Sequence, residues 1–357
     1  MMASDRATDR AYIEEIYPVL TLPNELISEI FLHVIPAYPR SPPRYGRRSP
    51  TLLTHICRQW REIALATPAL WRAILLDGSI PSGEHIRFLA SWLSRSGRFP
   101  LSIQMTDDFA ELTPEELDVI LPYRARWEHL RLHIDFYQLL PLEGPMPLVR
   151  DLEIRVPRVT IPPFPISYRQ LPQLRSATLW DFDYPSGFLP WSQLTSLTLV
   201  CKSTSQCTAV LAETLQLVHC TLVIYTDSGP QLDTKLAHWE SLVLIKFVSD
   251  SDRPTAYLDT FILPALRRLQ IPDEFRSPGP VTALGSFISK SECKLQNVHI
   301  TGKRTASKSS YRMVFPSIRK VSFDEMLTGW LELEDERDSW VGYRPDSSSI
   351  EISSDSE

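Results

Sequence analysis

One six-residue pattern returns nine times over the later two-thirds of this 357-residue chain: apolar, two free positions, apolar, one free position, apolar. It stands at Trp127, Leu130, Leu132; at Val149, Leu152, Ile154; at Leu174, Ala177, Leu179; at Leu194, Leu197, Leu199; and at Leu217, Cys220, Leu222. Further copies are Trp239, Leu242, Leu244; Leu266, Leu269, Ile271; Leu295, Val298, Ile300; and Ile318, Val321, Phe323. The first positions advance by 22, 25, 20, 23, 22, 27, 29 and 23 residues. A strand has period two, so the last two apolar positions of each copy point the same way. One copy cannot bury that face alone, whereas copies stacked as parallel strands bury it together. The triplets PQL, SQL, PAL and PSI place a turn just before several of the strands, and Thr113, Pro114 and Glu116 form the capping box of a helix start. The fold class predicted is therefore α/β, with a parallel sheet built from repeated units.

The spacing is similar to that of leucine-rich repeats, which run about 20 to 29 residues. The pattern departs from theirs where Asn or Cys stands eight residues after the first apolar position. Here Pro157, Phe182, Lys202, Tyr225 and Phe247 hold that place. Irregular, strongly diverged repeats are expected, and a non-repetitive α/β domain with coincident strands remains the alternative. The strand positions that alternate with the core are candidates for holding a target protein: Arg131, Glu153, Arg155, Thr178, Trp180, Thr198, Gln270 and His299, with Trp180 as an exposed aromatic anchor. His129 and His133 alternate with Leu130, Leu132 and Ile134, which places them on the polar face of a strand rather than in a metal pair.

The first hundred residues read differently. In LPNELISEIFLHVI, residues 22 to 35, Leu22, Leu26, Ile27, Ile30, Phe31, Val34 and Ile35 spread over about 220° of a helical wheel, wider than the stripe of about 100° that one neighbour needs. The segment is either a central core helix or a helix with a second partner. PAYPRSPPRYGRRSP, residues 36 to 50, reads as an exposed loop. Residues 51 to 71 return to helical spacing, with Leu52, Leu53, Ile56, Cys57, Trp60, Ile63 and Ala64 on one face. Thr67 and Pro68 start a second short helix, Ile74 to Leu76 form a short strand, and residues 84 to 96 form a further amphipathic helix.

Residues 21 to 73 resemble the F-box motif in the form common among fungal F-box proteins. The matching residues are Leu22-Pro23 with Glu25, Leu26, Ile30 and Phe31, then Cys57-Arg58-x-Trp60-Arg61-x-Ile63-Ala64, then Thr67-Pro68-x-Leu70-Trp71. An F-box followed by leucine-rich-like repeats is a familiar pairing. The resemblance implies a non-catalytic substrate receptor of an SCF-type ubiquitin ligase, whose F-box binds a Skp1-like adaptor and through it the cullin-RING machinery. It implies docking, or packing directly beneath the docking surface, by Leu22, Pro23, Glu25, Leu26, Ile30, Phe31, Leu53, Cys57 and Trp60. The loop between the two halves is longer than in compact F-boxes. The organisation expected is an N-terminal extension over 1–20, the F-box over 21–73, a connecting strand and helix over 74–97, a repeat domain over 98–330 and an acidic, disordered tail over 331–357.

Composition fits that organisation. Glycine is scarce at 12 and proline plentiful at 30, which suits short elements with rigid turns better than glycine-rich phosphate loops. The five cysteines are widely spaced with no C-x-x-C, which indicates neither a disulfide framework nor a zinc site. Net charge is −6, but residues 324–357 hold −9, and −6 less −9 leaves +3 on the rest. No apolar run reaches the roughly 20 residues of a membrane span, and the first residues lack the order of a signal peptide. The expectation is an intracellular protein of cytoplasm or nucleus, with no cofactor, no metal, no nucleic acid and no membrane partner. Two other functions stay open: a scaffold that binds Skp1 without promoting ubiquitination, and an enzyme whose site is built between repeats.

Overall fold

The structure, a computed structural model, describes residues 18–77, 82–106, 112–156, 167–180, 187–201, 204–224, 234–246, 258, 261–273, 279–302 and 306–324. Its centre is an open sheet of eleven parallel strands lying almost in chain order. These are β1 (Ala73–Leu76), β2 (Leu101–Thr106), β3 (Trp127–His133), β4 (Asp151–Arg155), β5 (Ser176–Trp180), β6 (Ser196–Cys201) and β7 (His219–Ile224), then β9 (Ser241–Lys246), β11 (Arg268–Pro272), β12 (Asn297–Thr301) and β13 (Lys320–Asp324). The short β8 (Thr234–Lys235) and β10 (Phe261–Ile262) pair separately. The fold is thus mixed α/β, and the nine copies of the sequence pattern supply β3 to β7, β9 and β11 to β13.

The local cause repeats with the pattern. Before each of six strands, the amide of the first apolar residue donates to the carbonyl three residues back: Val149 to Met146, Leu174 to Leu171, Leu194 to Trp191, Leu217 to Thr214, Leu266 to Leu263 and Ile318 to Phe315, at 3.1 to 3.3 Å. The following amide then joins the preceding unit, as Arg150 does to Glu128, Arg175 to Arg150 and Thr195 to Arg175, each at 2.9 Å. Proline suits such turns because its φ is already fixed. The turn sets the register. Leu130, Leu152, Ala177, Leu197, Cys220, Leu242, Leu269, Val298 and Val321 lie opposite one another in one unbroken row, each at most 5 % exposed.

β2 lies in register with this row through Ile103, yet the sequence pattern passes over it. Its first position falls on Pro100, so only the period-two alternation of Leu101, Ile103 and Met105 marks it. Helices Ser82–Arg95, Pro114–Ile120, Thr204–Glu213, Pro280–Ser291 and Lys308–Val314 contribute Trp92, Ile120, Leu211, Phe287 and Tyr311 to the core beside the strands. The capping box is present: Thr113 Oγ1 accepts from the Glu116 amide at 3.3 Å, and Glu116 Oε2 accepts from the Thr113 amide at 2.8 Å.

At the start of the described chain, helices Asn24–Val34, Pro50–Ile56 and Arg58–Leu65 precede a 3-10 turn, Pro68–Trp71. The continuous helical spacing expected from Leu52 to Ala64 is divided at Cys57. That residue is extended, with φ −152° and ψ 170°, and its Sγ accepts from the Trp60 amide at 3.4 Å to start the next helix. The helices share one core with the sheet, from Ile27, Phe31, Leu53 and Ile63 to Trp71 and onward to Val321. Trp71 is the joint: its indole N–H donates to the Ala64 carbonyl at 2.9 Å, and its ring meets Trp92 edge-on at 5.3 Å.

Of residues 36–50, expected as an exposed loop, Pro50 starts a helix and 36–49 are bound along much of their length. Ser41, Pro42 and Ser49 are buried, and only Tyr45, Gly46, Arg47 and Arg48 form an exposed tip of consecutive residues. Ser102 Oγ donates to the Pro39 carbonyl at 2.6 Å, the Tyr38 hydroxyl donates to Glu128 at 2.9 Å, and the Arg72 guanidinium stacks 3.7 Å from the Tyr38 ring centre. Arg44 pairs with Asp77 and lies 3.1 Å from His85 Nε2. Prolines that break helices also lower the entropy lost on ordering a strap, so the same composition permits this binding. The positions Pro157, Phe182, Lys202, Tyr225 and Phe247, the greater part of the N-terminal extension and the acidic tail lie outside the described residues. No helix among the described residues is long and apolar enough to cross a membrane.

Candidate functional site

Two surfaces stand out. On helix Asn24–Val34, Ile27 and Phe31 are fully buried, and Phe31 meets Trp60 edge-on at 4.9 Å between ring centres. On another flank of the same helix Leu26, Ile30 and Val34 follow at steps of four and are 52 %, 40 % and 38 % exposed. The wide apolar arc is therefore split between the protein's own core and solvent. Pro23 and Glu25 are exposed, while Leu22, Cys57 and Trp60 are half-buried. Phe31 and Leu53, expected at a docking surface or in the packing under it, are buried, because each completes the packing of the helices on one another. The break at Cys57 leaves Leu52 and Ile56 exposed on the next helix, which continuous spacing does not reveal. Leu32, on the polar side of the helical wheel, is half-buried against the core.

The second surface is the face of the sheet opposite its main core. Register aligns Gln104, Arg131, Glu153, Thr178, Thr198, Thr221, Val243, Gln270, His299 and Ser322 in one row across ten strands. A second row runs Ser102, His129, Asp151, Ser176, Ser196, His219 and Ser241. Arg131 Nε lies 3.0 Å from Glu153 Oε2, His133 Nε2 lies 3.1 Å from Glu153 Oε1, and His129 Nδ1 lies 2.9 Å from Asp151 Oδ2. Arg131 and Glu153, expected outward, are only 8 % and 9 % exposed. Flanked by strands on both sides, the two side chains pair with each other and are largely covered.

Trp180 is corrected outright: the expected exposed anchor is 2 % exposed. Its row partners in register are Val200, Val223 and Ile245, and together they form a small apolar cluster, with Arg155 stacked 4.7 Å from the indole centre. Alternation along one strand cannot show this, but reading the same position across four strands does. Gln270 and His299 are half-buried further along the sheet, where His299 Nδ1 lies 2.9 Å from Ser322 Oγ.

Between β2 and β6 the polar face encloses a groove of about 390 Å³ whose lining includes Pro39, Ser102, Gln104, His129, Arg131, Asp151, Glu153, Ser176, Thr178 and Thr198. Of the residues expected to hold a target, the groove gathers Arg131, Glu153, Thr178 and Thr198. Arg155 and Trp180 sit in the adjoining row, and Gln270 and His299 do not reach it. Asp151, Ser176 and Ser102 were within reach of the same alternation, two residues before Glu153, Thr178 and Gln104. Pro39 carries no such signal, because the strap's folding onto β2 depends on contacts distant in sequence. Among the described residues, no three His, Cys, Asp or Glu side chains gather to hold a metal ion, and Cys57, Cys207, Cys220 and Cys293 form no disulfide. The chain matches no model of a known protein family, and no curated protein matches it.

Proposed function

We propose that this protein is a substrate receptor of an SCF-type ubiquitin ligase, with an F-box over residues 21–73 that binds a Skp1-like adaptor and a diverged leucine-rich-repeat-like domain that holds the target. The observation that carries the reading is the stripe Leu26, Ile30, Val34, exposed on a helix whose other flank is locked into the core. Scattered apolar side chains on a surface need no explanation, but three on one flank of a core-anchored helix suit a groove in a helical partner. The polar sheet face, well away from that stripe in sequence, is the surface for the target. No chemistry is required of the chain: holding target and ubiquitin-charged carrier in one complex raises their effective concentration, and the transfer proceeds elsewhere.

Because the helices share the sheet's core, deleting 21–73 would damage the fold; substitutions on the exposed flank are the cleaner test. In affinity purification from cells treated with a proteasome inhibitor, the wild type carries adaptor, cullin and ubiquitin conjugates, and Leu26→Glu with Ile30→Glu loses all three. Adaptor without cullin would favour a scaffold that does not ubiquitinate. Undiminished adaptor binding by the folded double variant would overturn the docking surface.

A further inference from the structure

We infer that the groove between β2 and β6 takes an extended peptide segment that carries a lysine or arginine and no phosphate. This rests on the reading of the polar face as the target surface. Among the described residues, the charged side chains that line the groove are Arg131, Asp151 and Glu153, a formal charge of −1 counting His129 as uncharged. Arg131, the one guanidinium among them, is tied to Glu153 at 3.0 Å and is 8 % exposed, so it offers an incoming phosphate little. Glu153 accepts from Arg131 on one oxygen and meets His133 with the other. Asp151 is different: His129 lies against one oxygen, yet 48 % of its side chain faces solvent, more than that of Arg131, Glu153 or His129. Its carboxylate suits an ammonium or guanidinium and repels a phosphate.

The remaining lining favours a peptide backbone. Ser176, Thr178 and Thr198, all half-buried, supply hydroxyls that both donate and accept hydrogen bonds, while Ser102 and Gln104 are buried. Four strand spacings of about 4.8 Å separate β2 from β6, roughly 19 Å, which about six extended residues cover. Pro39 closes the end at β2, held there by Ser102. The strap that joins the two halves of the adaptor-binding region is therefore also a wall of the target groove.

The test uses the full chain and an immobilised library of random hexapeptides, with a parallel library in which one position is phosphoserine. The wild type should enrich lysine or arginine at one position and show no preference for the phosphorylated library. A selected lysine hexapeptide, measured by fluorescence anisotropy at low salt, should bind Asp151→Asn about fivefold more weakly, with the difference shrinking at high salt. Asp151→Glu should retain the basic preference. Leu26→Glu with Ile30→Glu should bind the hexapeptide as the wild type does, so loss of adaptor docking and failure of the groove are told apart. No basic enrichment, a preference for phosphoserine, or basic enrichment that survives Asp151→Asn would each overturn the inference.

Discussion

His85 is wholly buried among charged groups drawn from three other parts of the chain. Its Nδ1 lies 2.6 Å from Glu116 Oε1, its Nε2 lies 3.1 Å from Arg44, and Arg44 in turn pairs with Asp77. Burial first, and the Arg44 charge second, hold the imidazole below its ordinary value of 6.5, with Glu116 opposing them. The folded protein therefore binds this proton less readily than the unfolded chain, and stability falls as pH drops through 6.5. Urea melts at pH 7.5 and 5.5 should show wild type losing stability, and His85→Asn, less stable at the start, losing less over that interval. Equal losses would contradict the assignment. Trp180 makes the same point for packing. As a buried residue it should cost about 3 to 5 kcal/mol on Trp180→Ala, read by urea denaturation, whereas an exposed anchor would leave stability nearly unchanged. Its sequence neighbourhood gave no such warning; the apolar residues that bury it stand 20, 43 and 65 positions further on, as Val200, Val223 and Ile245.

Among the elements, the nine strands that carry the pattern were legible and the strap was not, for a physical reason. Each strand needs two inward apolar residues and a preceding turn, and both lie within six to nine residues of sequence. Ordering the strap requires Glu128, Ser102, Asp77 and His85, none of which is near residues 36–49 in the chain. The break at Cys57 was hidden for a related reason: apolar spacing runs on through it, and only its cap on Trp60 reveals two helices. The Arg44 and Asp77 side chains are 10 % and 15 % exposed, so removing one partner leaves a largely buried charge. Arg44→Ala should cost about 3 kcal/mol and speed hydrogen exchange of amides 38–49 while those of β5 and β6 hold. Exchange unchanged in the strap would show that the prolines alone fix it.

Over the described residues, one main core joins the helices at one end to the sheet along its length, and the opposite face carries the polar rows together with the small apolar cluster around Trp180. That continuity gives the proposed receptor a stiff spacing between adaptor and target, with the strap touching both regions. The helical segment's apolar arc was legible in the sequence, and so was its excess over what one neighbour needs. Which residues bury inward and which remain outward became visible only with the fold, since Ile27 and Leu26 are adjacent in the chain and opposite in fate: fully buried and 52 % exposed. The central claim is that Leu26, Ile30 and Val34 dock on a Skp1-like adaptor, and titration calorimetry with the two purified proteins tests it most directly. Leu26→Ala with Ile30→Ala should weaken binding by about 3 kcal/mol, near a hundredfold, with the thermal melt almost unmoved because both side chains are already exposed. Equal affinity of the folded double variant and the wild type, or no binding by the wild type, would contradict the account.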